Sequence, residues 1–178
     1  RGGLASLSVN WWTTWPADDD GGVVLGNHLF FAARAGRTLD REGWPPEAAV
    51  RAARLAGRTE PGTAGVARLV ADARGLDAFA IAAFRQEVAR TNPRLALLYL
   101  PGPDILGAAL SDQGRTVADR VTLATALGEE TRALATFLGG PDVLGGGADL
   151  VVVVVDGGRS KDTGEVFLAG GLARPAAS

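Results

Sequence analysis

The chain has 178 residues, of which 47% are hydrophobic and 21% are charged, a composition typical of folded globular proteins rather than of disordered or fibrous ones. The formal net charge is −2 and the 18 basic residues are scattered, so no basic run indicates nucleic-acid binding. The absence of cysteine excludes disulfides, thiolate catalysis and cysteine zinc sites, and no apolar run approaches the roughly 20 residues that span a bilayer.

The first third of the chain predicts a strand, an aromatic segment and a helix. Leu4 to Val9 has the composition of a short strand, and Pro16 blocks its continuation as a central strand. The acidic and glycine-rich residues 18–22 are typical of a turn. A helix is predicted at 47–56, because two prolines suit its first turn and a glycine follows its end.

The middle of the chain predicts two more helices and a buried strand. The first helix is expected at 64–74 and the second after Asp77, where apolar residues recur at helical spacing until 91–93. Residues 95–100 form a continuous apolar run, the pattern of a strand covered on both faces.

The last third predicts the longest helix and two strands. The helix is expected at Val117 to Leu138, and the valine-rich run Leu150 to Val155 favours a buried strand. A short final strand is expected at Glu165 to Leu168. The stripe predicted to face the core from the long helix consists of Val121, Ala124, Leu127, Leu134 and Phe137.

Strands separated by helices indicate an α/β fold, with a mostly parallel sheet and helices on both faces, because parallel neighbours need crossover connections. Only four or five strands can be counted, few for a large doubly wound sheet. We therefore expect residues 1–178 to form a single α/β domain or the C-terminal part of one.

Two carboxylates follow predicted parallel strands, where α/β proteins bind their ligands. Asp104 follows the strand at 95–100, and Asp156 follows the valine run directly. Carboxylate oxygens bind hard and borderline cations, so the pair is a candidate metal site. The alternative is structural, with Asp104 capping the next helix and Asp156 closing a turn.

Two segments carry a family resemblance, Val9-Asn10-Trp11-Trp12-Thr13-Thr14-Trp15-Pro16-Ala17 and Tyr99-Leu100-Pro101-Gly102-Pro103-Asp104-Ile105-Leu106-Gly107-Ala108. They resemble the type I phosphodiesterase and sulfatase-like branch of the alkaline-phosphatase superfamily. In that family an Asp-x-x-x-His motif and an Asp-His-Gly motif each follow a strand and bind metal. The resemblance implies an alkaline-phosphatase-like domain.

The residues that match these motifs keep the aspartates and lack the histidines. Asp104 matches the first aspartate, but Ala108 stands where the family has histidine. Asp156 matches the second aspartate and is followed by Gly157, and no histidine occurs after His28. The resemblance also implies that the nucleophile and the first metal-binding aspartate precede the matched region.

Other residues weighed for function are the tryptophans and the single histidine. The indole rings of Trp11, Trp12, Trp15 and Trp44 suit either a stacking surface for a sugar or base, or packing between sheet and helix, which we favour. Nothing near His28 has the pattern of a nucleophile elbow.

Two functions fit these observations. The first is a degenerate, catalytically inactive phosphodiesterase-like domain that needs no cofactor and acts as a structural or accessory subunit beside other protein subunits. The second is a phosphate- or sulfate-ester hydrolase seen as a fragment, with an altered site for a divalent metal such as Zn²⁺ or Mg²⁺. We expect no nucleic-acid partner and no transmembrane segment in this chain.

Overall fold

The computed structural model describes residues 5–11, 14, 16–17, 21–57 and 64–140, together with the backbone of two strands at 151–155 and 165–169. The chain divides into two compact units, residues 1–106 and 107–178. Compact units need not be separate domains, so a single domain over 1–178 stays a prediction.

Within its described residues, the first unit contains four strands and three complete helices, and a fourth helix begins in it. The elements in chain order are β1 (Ser6–Trp11), β2 (Val23–Gly26), α1 (Leu29–Arg34), β3 (Gly43–Trp44), α2 (Pro46–Ala53), α3 (Gly65–Thr91), β4 (Leu95–Leu98) and α4 (Gly102–Leu110). The remaining elements, in the second unit, are α5 (Val117–Leu138), β5 (Val151–Val155) and β6 (Glu165–Ala169).

The sheet of the first unit has the order β3-β2-β1-β4. The central strand β1 pairs in parallel with both β2 and β4, and the two-residue β3 pairs antiparallel with β2. Helices connect the parallel strands β2 and β4, as a parallel arrangement requires. The predicted α/β fold with a mostly parallel sheet is therefore confirmed.

One face of this sheet is packed against helices α1, α2 and α3. Parallel register places Leu7 beside Val23 and Val9 beside Leu25, so these four buried side chains share one face. The core they form with the helices also contains Leu29, Phe30, Ala48, Ala49, Ala52, Leu76, Phe79, Ala80 and Ala83. The helices that join this core thus lie on a single face of the sheet.

The strand β4 contradicts the prediction of a strand covered on both faces. Leu95 and Leu97 are 50% and 38% exposed. They pair with Ser6 and Ser8 of β1, on the face opposite Leu7 and Val9. The apolar run was misread because β4 is an edge strand among the described strands, and only Leu98 packs against the core.

The helix α3 is continuous over 27 residues, so the two separate helices predicted here are wrong. Gly75 lies inside it instead of ending it, and a Cβ atom at this position would lie 3.1 Å from the Phe30 ring. The glycine therefore permits α1 to approach α3 closely. Asn92 ends the helix in the left-handed conformation, with φ of 44°, where the sequence predicted the stop.

A buried ion cluster joins α2 to α3. Glu87 is fully buried, and both of its carboxylate oxygens accept hydrogen bonds from Arg51, at 3.0 and 3.1 Å. Arg90 donates a third, at 2.9 Å. Burial raises the pKa of Glu87, but the hydrogen bonds and charges of Arg51 and Arg90 outweigh it and hold the pKa below its ordinary value.

The helix α5 occupies the predicted residues but buries a stripe that only partly agrees with the predicted one. Thr116 and Asp119 form a capping box at its start. Leu123, Ala126 and Phe137 are buried, whereas Val121 is 61% exposed. Of the predicted stripe, Phe137 is buried and Leu127 and Leu134 are half-buried, but Val121 and Ala124 are exposed. The stripe was only partly right because alanines and leucines occur around the whole helix, which leaves its apolar periodicity weak.

The strands β5 and β6 lie at the predicted positions and pair with each other in antiparallel register, Val153 opposite Phe167. The described part of the chain contains no helix with both the length and the apolar content needed to cross a bilayer.

Candidate functional site

The carboxyl ends of β1, β2 and β4 meet at one edge of the sheet. The chain leaves β1 to form β2 on one side, and later forms β4 on the other side. In open α/β sheets this change of direction opens a crevice at the carboxyl ends of the strands, where ligands bind. We therefore examined the residues that follow each of these strands.

Asn10 gives the end of β1 an unusual backbone. Its φ is 62°, in the left-handed region, and the register with β2 shifts between Val9 and Trp11. Asparagine tolerates this conformation better than most residues. The buried side chain donates from Nδ2 to the carbonyl oxygen of Tyr99 at 3.0 Å. Asn10 thus links the ends of β1 and β4.

Aromatic rings lie over the same two strand ends. Trp11 and Tyr99 make an edge-to-face contact, with ring centroids 6.2 Å apart. Trp11 is 39% exposed, so the packing role that the sequence favoured does not bury its indole ring. Trp44 lies half-buried in β3, and Trp12 and Trp15 lie outside the described residues.

Asn27 and His28 follow β2 directly. The Oδ1 atom of Asn27 is buried and has no hydrogen-bond partner among the described residues. His28 is exposed and occupies the N-cap position of α1, where its side chain makes no capping hydrogen bond. This part of the edge therefore offers amide and imidazole groups and no carboxylate.

Asp104 lies where the sequence placed it, after β4 in the first turn of α4. Asp104 and Ala108 are both exposed, and their four-residue spacing puts them on one side of the helix. Within the described ranges, the side chain of Asp104 makes no hydrogen bond or ion pair. The alternative in which Asp104 caps the helix is therefore wrong.

The carboxylate that caps α4 is Asp77, from the middle of α3. Both of its oxygens accept the backbone N–H of Gly102, at 3.0 and 3.1 Å, and the side chain is almost fully buried. A Cβ atom on Gly102 would lie 2.4 Å from an Asp77 oxygen, so this capping contact requires glycine. Asp77 fixes where α4, and with it Asp104, begins.

These residues do not fit the pair of metal ions that the family resemblance implies. A tightly held zinc ion usually needs three or four protein ligands. At α4 the side chains offer one carboxylate, and Ala108 replaces the imidazole. Among the described residues, no three histidine, cysteine or acidic side chains lie together as a metal site. Asp156, the second predicted ligand, lies outside the described residues.

Comparisons with protein-family models, with curated proteins and with solved structures found no match to this chain.

Sequence reasoning missed Asn10 and the capping role of Asp77. An asparagine directly after a predicted strand is a signal for a left-handed turn, so Asn10 could have been found. Asp77 gave no such signal, because an aspartate two residues after Gly75 indicates the start of a helix rather than a cap for another one.

Proposed function

We propose that this chain is a phosphodiesterase-like α/β domain that lacks hydrolytic activity and serves as a structural or accessory subunit of a protein assembly. The observation that carries the proposal is the pair Asp104 and Ala108, exposed one turn apart at the carboxyl end of β4. A histidine at 108 would make the pair a two-ligand metal site. Alanine leaves one carboxylate, too few for a stable metal ion.

Loss of the metals removes the chemistry of the family's hydrolysis. Metal ions in such sites activate the nucleophile and stabilise the leaving oxygen. Among the described side chains at the ends of β1 and β4, Asn10 carries an amide and Trp11 and Tyr99 carry aromatic rings, so none of the three adds a second carboxylate or an imidazole to Asp104. The end of β4 therefore offers a single carboxylate, Asp104, where the family's mechanism requires metal ions.

The test restores the missing ligand. We expect the wild-type chain to release no phenol from bis(p-nitrophenyl) phosphate, and to bind Zn²⁺ no more tightly than the control variant Asp104→Asn. In Ala108→His, which changes an exposed position, we expect zinc affinity at least about tenfold above wild type, because an imidazole joins the carboxylate. Calorimetric titration with Zn²⁺ measures both.

The proposal would be contradicted if the wild-type chain hydrolysed the substrate and if both Asp104→Asn and a chelator abolished that activity. This result would establish the metal-dependent hydrolase instead. The accessory role needs a separate measurement, the mass of the native assembly together with its metal content. A complex of defined stoichiometry without metal supports it, whereas a free chain carrying about two metals overturns it.

A further inference from the structure

A shallow cleft of about 300 Å³ lies between the end of α1 and the start of α3. Its lining residues are Phe31, Arg34, Ala35, Arg37 and Arg68. The volume is at the lower end of the range for small-molecule sites. The cleft shares no residue with the sheet edge that carries Asp104.

Two of the three arginines are fixed by one carboxylate. The two carboxylate oxygens of Asp72, in α3, each accept one hydrogen bond. One comes from Nη1 of Arg34 at 2.9 Å and the other from Nε of Arg68 at 2.6 Å. Arg34 also lies over the Phe30 ring, with its guanidinium carbon 4.9 Å from the centroid. Arg68 uses only its Nε in this contact, so both of its terminal amino groups are left for another acceptor.

The third arginine is positioned by the backbone. Gly36, with φ of 62°, ends α1 in the left-handed conformation. The backbone N–H of Gly36 donates to the carbonyl oxygen of Ala33, and the N–H of Arg37 donates to the carbonyl oxygen of Ala32. These are the two hydrogen bonds of a Schellman motif. The position of Arg37 often carries an apolar residue in this motif. Here an exposed guanidinium lies beside the cleft, without a side-chain partner in the described part of the chain.

Charge and shape together define the ligand. Among the described residues, the cleft brings three guanidinium groups together with one carboxylate, an excess of positive charge that favours a phosphate monoester dianion over a monoanionic carboxylate or sulfate ester. Guanidinium groups also match phosphate oxygens in geometry. Phe31 is 43% exposed at the same cleft and offers a ring to the organic part of the ligand.

We propose that the cleft formed by Phe31, Arg34, Arg37 and Arg68 binds a small phosphate monoester whose apolar or aromatic group rests on Phe31. Arg37 and Arg68 contact the phosphate, while Arg34, held by Asp72 and Phe30, sets the shape of the cleft. This inference is independent of the proposed function, because it uses none of the residues around Asp104.

The test is calorimetric titration of the full chain at about pH 8, above the second pKa near 6 of a phosphate monoester. The ligands are phenyl phosphate, inorganic phosphate and the monoanion phenyl sulfate. We expect one saturable site for phenyl phosphate, weaker binding of inorganic phosphate, and the weakest binding of phenyl sulfate. Absence of saturation by phenyl phosphate up to about 10 mM overturns the proposal.

Variants assign the contacts. Arg37→Gln and Arg68→Gln should each weaken phenyl phosphate binding roughly tenfold, the effect of losing a charge-assisted hydrogen bond. The control Arg41→Gln removes the same charge from an exposed position outside the cleft and should leave affinity unchanged. An equal loss in all three variants, or no loss in the first two, overturns the site.

Phe31→Ala separates the aromatic contact from the phosphate contact. We expect it to weaken phenyl phosphate roughly threefold and to leave inorganic phosphate unchanged. Unchanged affinity for both ligands, or an equal loss for both, overturns the role of Phe31. Circular dichroism of each variant confirms that the fold is retained.

Discussion

Helix α3 carries two carboxylates that each lie between two arginines, and the two clusters differ in how completely the carboxylate is used. Glu87 is fully buried and accepts three hydrogen bonds, two from Arg51 and one from Arg90. Asp72 is 23% exposed and accepts one from each of its arginines. The Glu87 carboxylate is closed to solvent, whereas the Asp72 carboxylate is partly exposed and its two arginines line a cleft together with Arg37.

The difference shows that residue types alone do not separate a structural ion cluster from a binding site. Each cluster consists of one acidic residue and two arginines, and each joins α3 to an earlier helix. They differ in the number of hydrogen bonds that the carboxylate accepts and in the exposure of the carboxylate to solvent. We therefore expect Glu87 to contribute to stability and the Asp72 cluster to contribute to recognition.

The largest expected effect is at Glu87. Glu87→Ala leaves Arg51 and Arg90 facing an apolar gap without their partner, and we expect it to lower the free energy of unfolding by about 2 kcal/mol. This figure is below the usual 3–5 kcal/mol for a broken buried pair, because the two arginine side chains are 30% and 46% exposed and solvent screens them. Urea denaturation measures the change. A loss no larger than in Asp72→Asn would contradict the comparison.

We expect the second-largest effect from acid, which acts on the same Glu87 cluster. Because the folded-state pKa of Glu87 lies below its ordinary value of 4.5, its contribution is complete above that pH and is lost as pH falls through the folded-state pKa. We expect the unfolding free energy of Glu87→Gln to fall less steeply with acid than that of wild type. Glu47→Gln, at an exposed position of α2, is the matched control. Identical slopes for Glu87→Gln and wild type would exclude this role.

The smallest effect is expected at Asp72. Asp72→Asn removes a partly exposed charge, and we expect a loss of only about 0.5–1 kcal/mol in unfolding free energy. Thermal unfolding beside Glu87→Ala gives the ranking directly. A loss at Asp72 equal to that at Glu87 would show that the open cluster is also structural.

The elements whose signals are local were predicted well from the sequence. Proline before α2, asparagine after α3 and glycine after α5 mark ends that the backbone itself determines. The valine run forms a strand for the same reason, because β-branched residues fit a pleated backbone. The position of Asp104 after β4 was also predicted correctly, because it follows the apolar run at 95–100 in sequence.

The errors concern burial and contacts between distant residues. Leu95 and Leu97 look like core residues in sequence, and only the order of the strands shows that β4 is at the edge. Gly75 was interpreted as a break between two helices. The contact that explains it, with Phe30, is 45 residues away in sequence and cannot be read from neighbouring residues. Asp77 and Gly102 are likewise meaningful only as a pair. Such contacts are tertiary, and local propensity does not encode them.

The exposed edge strand has a consequence for handling the protein. β4 presents apolar side chains and an unpaired backbone edge among the described strands, the combination that promotes aggregation through strand addition. Its four residues are enclosed by Pro93 and Pro101, and Arg94 places a charge at its start. Prolines and charges in these positions act as gatekeepers that limit the growth of intermolecular sheets. We therefore expect substitutions at Pro93, Arg94 or Pro101 to make strand addition at β4 easier.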